Sequence, residues 1–143
     1  MAQPYEQLKL GNQICFPLYA CARRIVNRYT PFLKPLGLTY TQYIVFMVLW
    51  EEEQVTVGEL GKRLHLDAGT LTPLLKNLEK NGYITRARSK EDERVTQITL
   101  TKKGDALKED CKDIPYKLSS GCTPLSPQDA AELYRLLYAL LEE

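Results

Sequence analysis

The sequence predicts a mainly α-helical fold with one small β-hairpin, in a single domain of 143 residues. Three observations support this. Apolar residues recur at steps of three and four through most of the chain, the period of helices buried on one face. Two short segments, YITRAR and VTQITLT, flank the polar tip SKEDER and read as paired strands. The length suffices for one helical core, with no room for a separate ligand-binding domain.

The elements follow in order. Leu8 to Tyr29 carries Ile14, Cys15, Leu18, Tyr19, Ala22, Ile25, Val26 and Tyr29 on a broad apolar face. Pro17 falls inside that helix and predicts a kink or a late start, because proline removes a backbone donor and crowds the preceding turn. Pro31, Pro35 and Gly37 mark a short helix and turn. Thr41 to Glu52 is almost wholly apolar and predicts a central buried helix. Thr56 with Glu59 fits a capping box opening TVGELGKRLHL. Asp67 caps the following helix, which runs to Asn81 and is stopped by Gly82. Its inward face is Leu71, Leu74, Leu75 and Leu78; Thr70, Thr72, Lys76 and Asn77 lie outward. Pro73 is expected in the first turn, where its missing N–H costs nothing. Beyond the hairpin, Lys102 to Leu118 predicts one helix ending near or beyond Pro115, then a loop through Cys122. Ser126-Pro127-Gln128-Asp129 starts a last helix whose stripe, Leu133, Leu136, Leu137, Leu140 and Leu141 with Tyr134 and Tyr138, exceeds what one small core needs.

Helix, tight turn, helix and basic hairpin, over about residues 41–101, is the order of a winged helix-turn-helix, which places one helix in a DNA major groove and a ribbon beside it. The expected architecture adds a helical dimerisation region from both termini, about 5–35 and 103–143. Charge supports this reading. The chain carries only +1, but between Leu60 and Lys103 ten Lys and Arg face five acids, and phosphate neutralisation is local. Thr70 and Thr72 can bond to bases or phosphates, Pro73 can pack on a thymine methyl, and Lys76 suits a phosphate or guanine edge. Lys90 and Arg94 at the wing tip, with Arg86 on the first strand, complete the basic set, and Arg94 is placed to enter a narrow minor groove. Asp92, two before Arg94, reads as a scaffold that holds the arginine. A homodimer suits a pseudo-palindromic operator in double-stranded DNA, with half-sites about 34–36 Å apart.

The four cysteines stand at 15, 21, 111 and 122, with no C-x-x-C pair and a single histidine, His65. That spacing argues against a structural zinc site, and no metal or cofactor is expected. Cys21 and Cys111 read as packing residues. From spacing alone Cys15 reads first as a small buried hydrophobe, and as a redox centre only where its thiol pKa is depressed. The second role needs donors for a thiolate, for which Tyr19, Tyr29 and Tyr40 are candidates. No apolar run approaches the roughly 20 residues of a membrane span, and no signal pattern opens the chain, so a cytoplasmic location is expected.

LTYTQYIVFMVLWE, followed by LGKRLHLDAGTLTPLLKNLEKNGYITRARSKEDERVTQITLT, resembles the MarR family of bacterial regulators. With QICFPLYA near the start it is similar, more narrowly, to the organic-hydroperoxide-sensing branch, the OhrR type. The resemblance spans nearly the whole chain and loosens after about Pro115. It implies a winged-helix dimer that represses transcription and leaves DNA when its sensing cysteine is oxidised. Carried onto this sequence, it makes Cys15 the sensor, Tyr29 and Tyr40 the phenols that hold its thiolate or sulfenate, and Arg94 the wing arginine. Members with a second cysteine form an intersubunit disulfide, and Cys122 is the candidate resolving partner. Ala68 departs from the serine usual there, and Pro17 from an ordinary helix former. Three rivals remain: a MarR-type regulator released by a small aromatic ligand, a thiol peroxidase using Cys15, and a winged helix that contacts only protein. The lack of an acid–base set near Cys15 argues against the enzyme.

Overall fold

The computed structural model describes residues 5–119 and 124–142, with eight helices and three short strands among them. Two single 3₁₀ turns (Glu6–Leu8 and Leu10–Asn12) lead into α1, Cys15–Leu33. This is the late start that Pro17 made one of two expectations. Pro17 occupies the first turn, where backbone N–H groups have no intrahelical partner. Pro31 does not end α1, which runs two residues further. A 3₁₀ turn at Lys34–Leu36 and Gly37, at φ 71°, then reverse the chain. A left-handed turn of this kind favours glycine, which has no Cβ to clash.

Helix α2, Tyr40–Glu52, is the centre of the molecule. Thr39 and Gln42 form a complete capping box at its head: Thr39 Oγ1 accepts from the Gln42 N–H at 3.2 Å, and Gln42 Oε1 from the Thr39 N–H at 3.0 Å. Tyr43, Val45, Phe46, Val48 and Leu49 are buried, and α1 packs across them. Helices α3, Val57–Leu64, and α4, Ala68–Lys80, form the helix-turn-helix. The expected caps are present. Thr56 and Glu59 bond reciprocally, and Asp67 accepts from the Thr70 N–H at 2.7 Å, which holds its carboxyl below the usual range. The turn closes tightly because Gly61 lets the Leu66 carbonyl approach where a Cβ would collide with it. Leu71, Leu75 and Leu78 are buried and Leu74 packs at the core's edge. Pro73 is a correction: it is the sixth residue of α4 and so lies in the second turn. There it leaves the Gly69 carbonyl without its usual i+4 donor.

The hairpin is β2, Ile84–Arg88, with β3, Thr96–Leu100, in antiparallel register from Ile84 opposite Leu100 to Arg88 opposite Thr96. A third strand absent from the sequence reading, β1 (Gln54–Thr56), pairs with the other edge of β3 and ties the wing to the start of α3. The single helix expected over Lys102–Leu118 is instead three segments: α5 (Lys102–Ala106), α6 (Lys108–Cys111) and α7 (Ile114–Ser119). Pro115 supplies no N–H to the Cys111 carbonyl, which accounts for the break at Lys112–Asp113. At Leu107 the backbone tightens, with the Asp110 N–H bonding back three residues. The buried positions, Leu107, Cys111, Ile114 and Leu118, keep helical steps of three and four across the breaks.

Helix α8, Pro127–Leu141, is capped by Ser126, whose Oγ accepts from the Asp129 N–H at 3.1 Å. None of its residues is buried. Together with Ile14, 85% exposed just before α1, and Phe16 and Leu18 in its first turns, it leaves a large apolar surface open. No single helix among the described residues is long and apolar enough to cross a membrane.

Candidate nucleic-acid interface

Helix α4 presents Thr70, Thr72, Pro73 and Lys76 on its exposed side, opposite its buried leucines. Its amino end is fixed by Asp67. Its carboxyl end is fixed on the wing: Glu79 accepts from both the Arg86 backbone N–H (3.2 Å) and its guanidinium (3.0 Å). These bonds from Arg86 hold the Glu79 carboxyl below its ordinary value. The opposite end of α3 is held by Arg63, which donates to Glu51 and Glu52 at the end of α2. Helices and wing thus form one braced unit.

The wing tip is built to hold one arginine in the open. Ser89 is buried and accepts from the Glu91 N–H, Arg88 donates to the Glu93 carbonyl at 2.8 Å, and the Val95 N–H bonds to the Asp92 carbonyl. Asp92 Oδ1 accepts from Arg94 Nε at 3.2 Å and from the Arg94 backbone N–H at 3.0 Å, bonds that hold the Asp92 carboxyl below its ordinary value. Arg94 itself is 91% exposed along its side chain. Lys90 is exposed beside it. Thr72 and Arg94 line the same open groove of about 980 Å³ between the helix-turn-helix and the hairpin. An exposed cation held by a carboxylate in advance loses little conformational freedom on meeting a phosphate.

Arg86 requires a correction. The sequence places it among the DNA-facing cations, but its side chain is only 25% exposed and is bonded to Glu79. It is a strut between α4 and the wing. The braces at Arg63 and Arg86 lack a sequence signal, since both pair with carboxylates on other elements.

The cysteine region lies elsewhere. Cys15 is the first residue of α1 and is exposed, which corrects the expectation of a small buried hydrophobe. Tyr19 stands one turn on, exposed, with the Arg23 guanidinium over its ring. Tyr29 and Tyr40 do meet each other, with ring centroids 4.8 Å apart, and Tyr43 completes the cluster at 5.6 Å from Tyr29. Burial holds the Tyr40 phenol above its ordinary value and, with help from its neighbours, pushes Tyr43 up to about 12. Both remain protonated at neutral pH and can donate to an anion. Yet Cys15 and Tyr29 sit fourteen residues apart on one helix, about 21 Å along its axis. Within one chain they cannot touch. Cys21 is exposed, and Cys111 is buried with its thiol pushed up to about 11. Cys122 lies outside the described residues. Among those described, no three His, Cys, Asp or Glu side chains gather closely enough to hold a metal ion.

Arg94→Ala is expected to weaken DNA binding and reduce the slope of log affinity against log salt by about 1, as one phosphate contact is lost. Titrating a fluorescent duplex at several salt concentrations tests this. An unchanged slope would remove Arg94 from the interface.

Comparison with known proteins supplies the context for these two regions. The family model describing the transcriptional regulator SarA/Rot matches residues 28–111. The organic hydroperoxide resistance transcriptional regulator of Bacillus subtilis (strain 168) is 46% identical over 142 residues, which is 99% of this chain and 96% of that one. Reduced AbfR bound to DNA, from Staphylococcus epidermidis, is similar with a TM-score of 0.78 and 36% identity, covering 98% of this chain and 95% of that one. Overoxidised AbfR bound to DNA gives a TM-score of 0.75 at 36% identity over 99% and 100% of the two chains.

Proposed function

The chain belongs to the MarR family of transcriptional regulators, in its organic-hydroperoxide-sensing OhrR branch, and on that premise we propose that it is a homodimeric DNA-binding regulator that Cys15 switches. It acts in the cytoplasm as a repressor, bound to a pseudo-palindromic operator while reduced and released when an organic hydroperoxide oxidises Cys15. It is a regulator and not an enzyme, like the proteins it resembles. Thr70, Thr72, Pro73 and Lys76 read the major groove, Lys90 and Arg94 take the backbone or minor groove, and Asp92 positions Arg94.

The observation that carries this reading is the separation of the sensor parts. An exposed thiol at a helix head and a cluster of phenols lie about 21 Å apart in one chain, so only a second copy can bring them together. Two-fold pairing of α1 and α8, whose apolar faces are uncovered, would set Cys15 of one protomer against Tyr29 and Tyr40 of its partner, with Tyr19 beside them. The thiolate attacks the outer peroxide oxygen; the O–O bond breaks, the alcohol leaves after taking up a proton, and sulfur becomes a sulfenic acid. That polar group in the phenol cluster alters packing between the protomers and hence the spacing of the two α4 helices. A bias of about 1.4 kcal/mol between the two arrangements gives a tenfold change in affinity.

Overoxidised AbfR has been seen on DNA, so the oxidised species must be identified with the binding. Gel shift on the DNA upstream of this chain's own gene, before and after one equivalent of cumene hydroperoxide with intact mass on both samples, tests the function. Loss of the shifted band together with an added oxygen, a mixed disulfide or a Cys15–Cys122 disulfide is expected. A band that persists with Cys15 verifiably in such a state would overturn the switch.

A further inference from the structure

We propose that Gln42 and Asn77 form the positioning link through which the tyrosine cluster sets the recognition helix; the inference rests on the redox switch proposed above. Gln42 is the third residue of α2, and both ends of its side-chain amide are in use. Its Oε1 accepts from the Thr39 N–H at 3.0 Å and closes the cap of α2. Its Nε2 donates at 3.1 Å to Asn77 Oδ1 on α4, thirty-five residues away in sequence. The same Asn77 oxygen accepts from Asn81 Nδ2 at 3.2 Å, which ties it to the residue that ends α4.

Tyr40 lies inside this cap, between Thr39 and Gln42, as the first residue of α2. Its ring is the one nearest Tyr29. A displacement of Tyr40 therefore moves the backbone that Gln42 closes, and Gln42 carries that movement into α4 one residue from Lys76. The remaining contact between the core and α4 is largely apolar: Leu71, Leu75 and Leu78 against the core. Apolar packing is non-directional and leaves orientation less sharply defined than a hydrogen bond does. The Glu79–Arg86 pair then takes the wing along with the helix. A cap residue that also reaches a second helix is thus the shortest directional route between sensor and reader.

The test uses paired substitutions and the ratio of operator Kd in the oxidised and reduced states. Gln42→Glu keeps the cap acceptor, and Asn77 can turn its amide to donate to the new carboxylate. Asn77→Asp keeps the acceptor that Gln42 needs. The double variant sets two carboxylates face to face and breaks the link while the α2 cap and the acceptor for Asn81 survive. Each single variant should keep the wild-type ratio within about twofold. The double variant should lose about threefold to tenfold of it, the worth of one hydrogen bond. A double variant with the full wild-type ratio overturns the link. So does one whose reduced and oxidised affinities fall in parallel, since that marks a merely structural contact. If the wild-type ratio is itself unity with Cys15 verifiably oxidised, the switch fails and the link falls with it. A responsive wild type beside an equally responsive double variant removes the link alone.

Discussion

Leu136→Glu with Leu140→Glu is expected to yield a folded monomer that no longer holds operator DNA at concentrations where the native chain binds. The two leucines are one helical turn apart on α8, 47% and 57% exposed, in a stripe with Leu133 that no part of the described chain buries. A fifteen-residue helix is marginal on its own in water, so α8 needs a partner surface to persist. Burying each leucine is worth about 1.5–3 kcal/mol, and a two-fold interface counts every substitution twice. As each is already about half covered, the four lost leucines forfeit about 3–6 kcal/mol of dimerisation, and charges that resist burial add to it. A monomer offers one recognition helix, and losing the second half-site lowers affinity by a factor on the order of 10²–10⁴. Sedimentation velocity and a gel shift read the two effects. Because α8 contributes no buried residue, the cores of native and variant chains should unfold alike in urea apart from the concentration dependence that a dimer adds. A variant that stays dimeric would move the interface away from α8.

The sequence makes the reader legible and the sensor hard to see, for a physical reason. Helix-turn-helix and wing are specified by local signals: the Thr56–Glu59 box, Asp67 as a cap, the leucine steps of α4, and a polar tip between two β-rich runs. Each acts within a few residues, so each can be read from spacing. The Asp92–Arg94 contact is likewise two residues long. What escaped is long-range. Strand β1 is three residues with no pattern of its own, and it exists only because β3 offers a free edge. Arg86 looks like any wing cation until Glu79 is placed beside it. The reach from Gln42 to Asn77 is equally invisible, although the Thr39-x-x-Gln42 box at the head of α2 was there to be read and would have moved the helix start to Tyr40. Cys15 and Tyr29 are the extreme case. Their spacing on one helix states that they are apart, and only a second chain can reverse that.

The second large effect is expected from Cys15→Ser. This variant should bind operator DNA as the reduced native chain does, within about twofold, and remain bound under a hydroperoxide dose that lowers native affinity at least tenfold. Serine keeps the small polar group at the head of α1 but cannot be oxidised by a peroxide at neutral pH, so substitution removes the chemistry and little else. Other thiols provide internal controls. Cys111 is buried with its thiol pushed up to about 11, so at pH 7 it is overwhelmingly protonated and shielded. Cys111→Ser should therefore respond as the native chain does, at some cost in stability. Cys21 is exposed and six residues from Cys15, about 240° round the helix, so neither can resolve the other within one protomer. Cys21→Ser should also respond normally. Cys122→Ser separates the two chemical routes: release that persists requires an external thiol or the sulfenic acid itself, and release that is abolished requires the intersubunit disulfide. Binding isotherms with intact mass at each dose give the whole series. If the Cys15→Ser protein leaves DNA at the native dose, with its remaining cysteines unmodified, the signal enters the protein elsewhere and the cysteine at the head of α1 is not the switch.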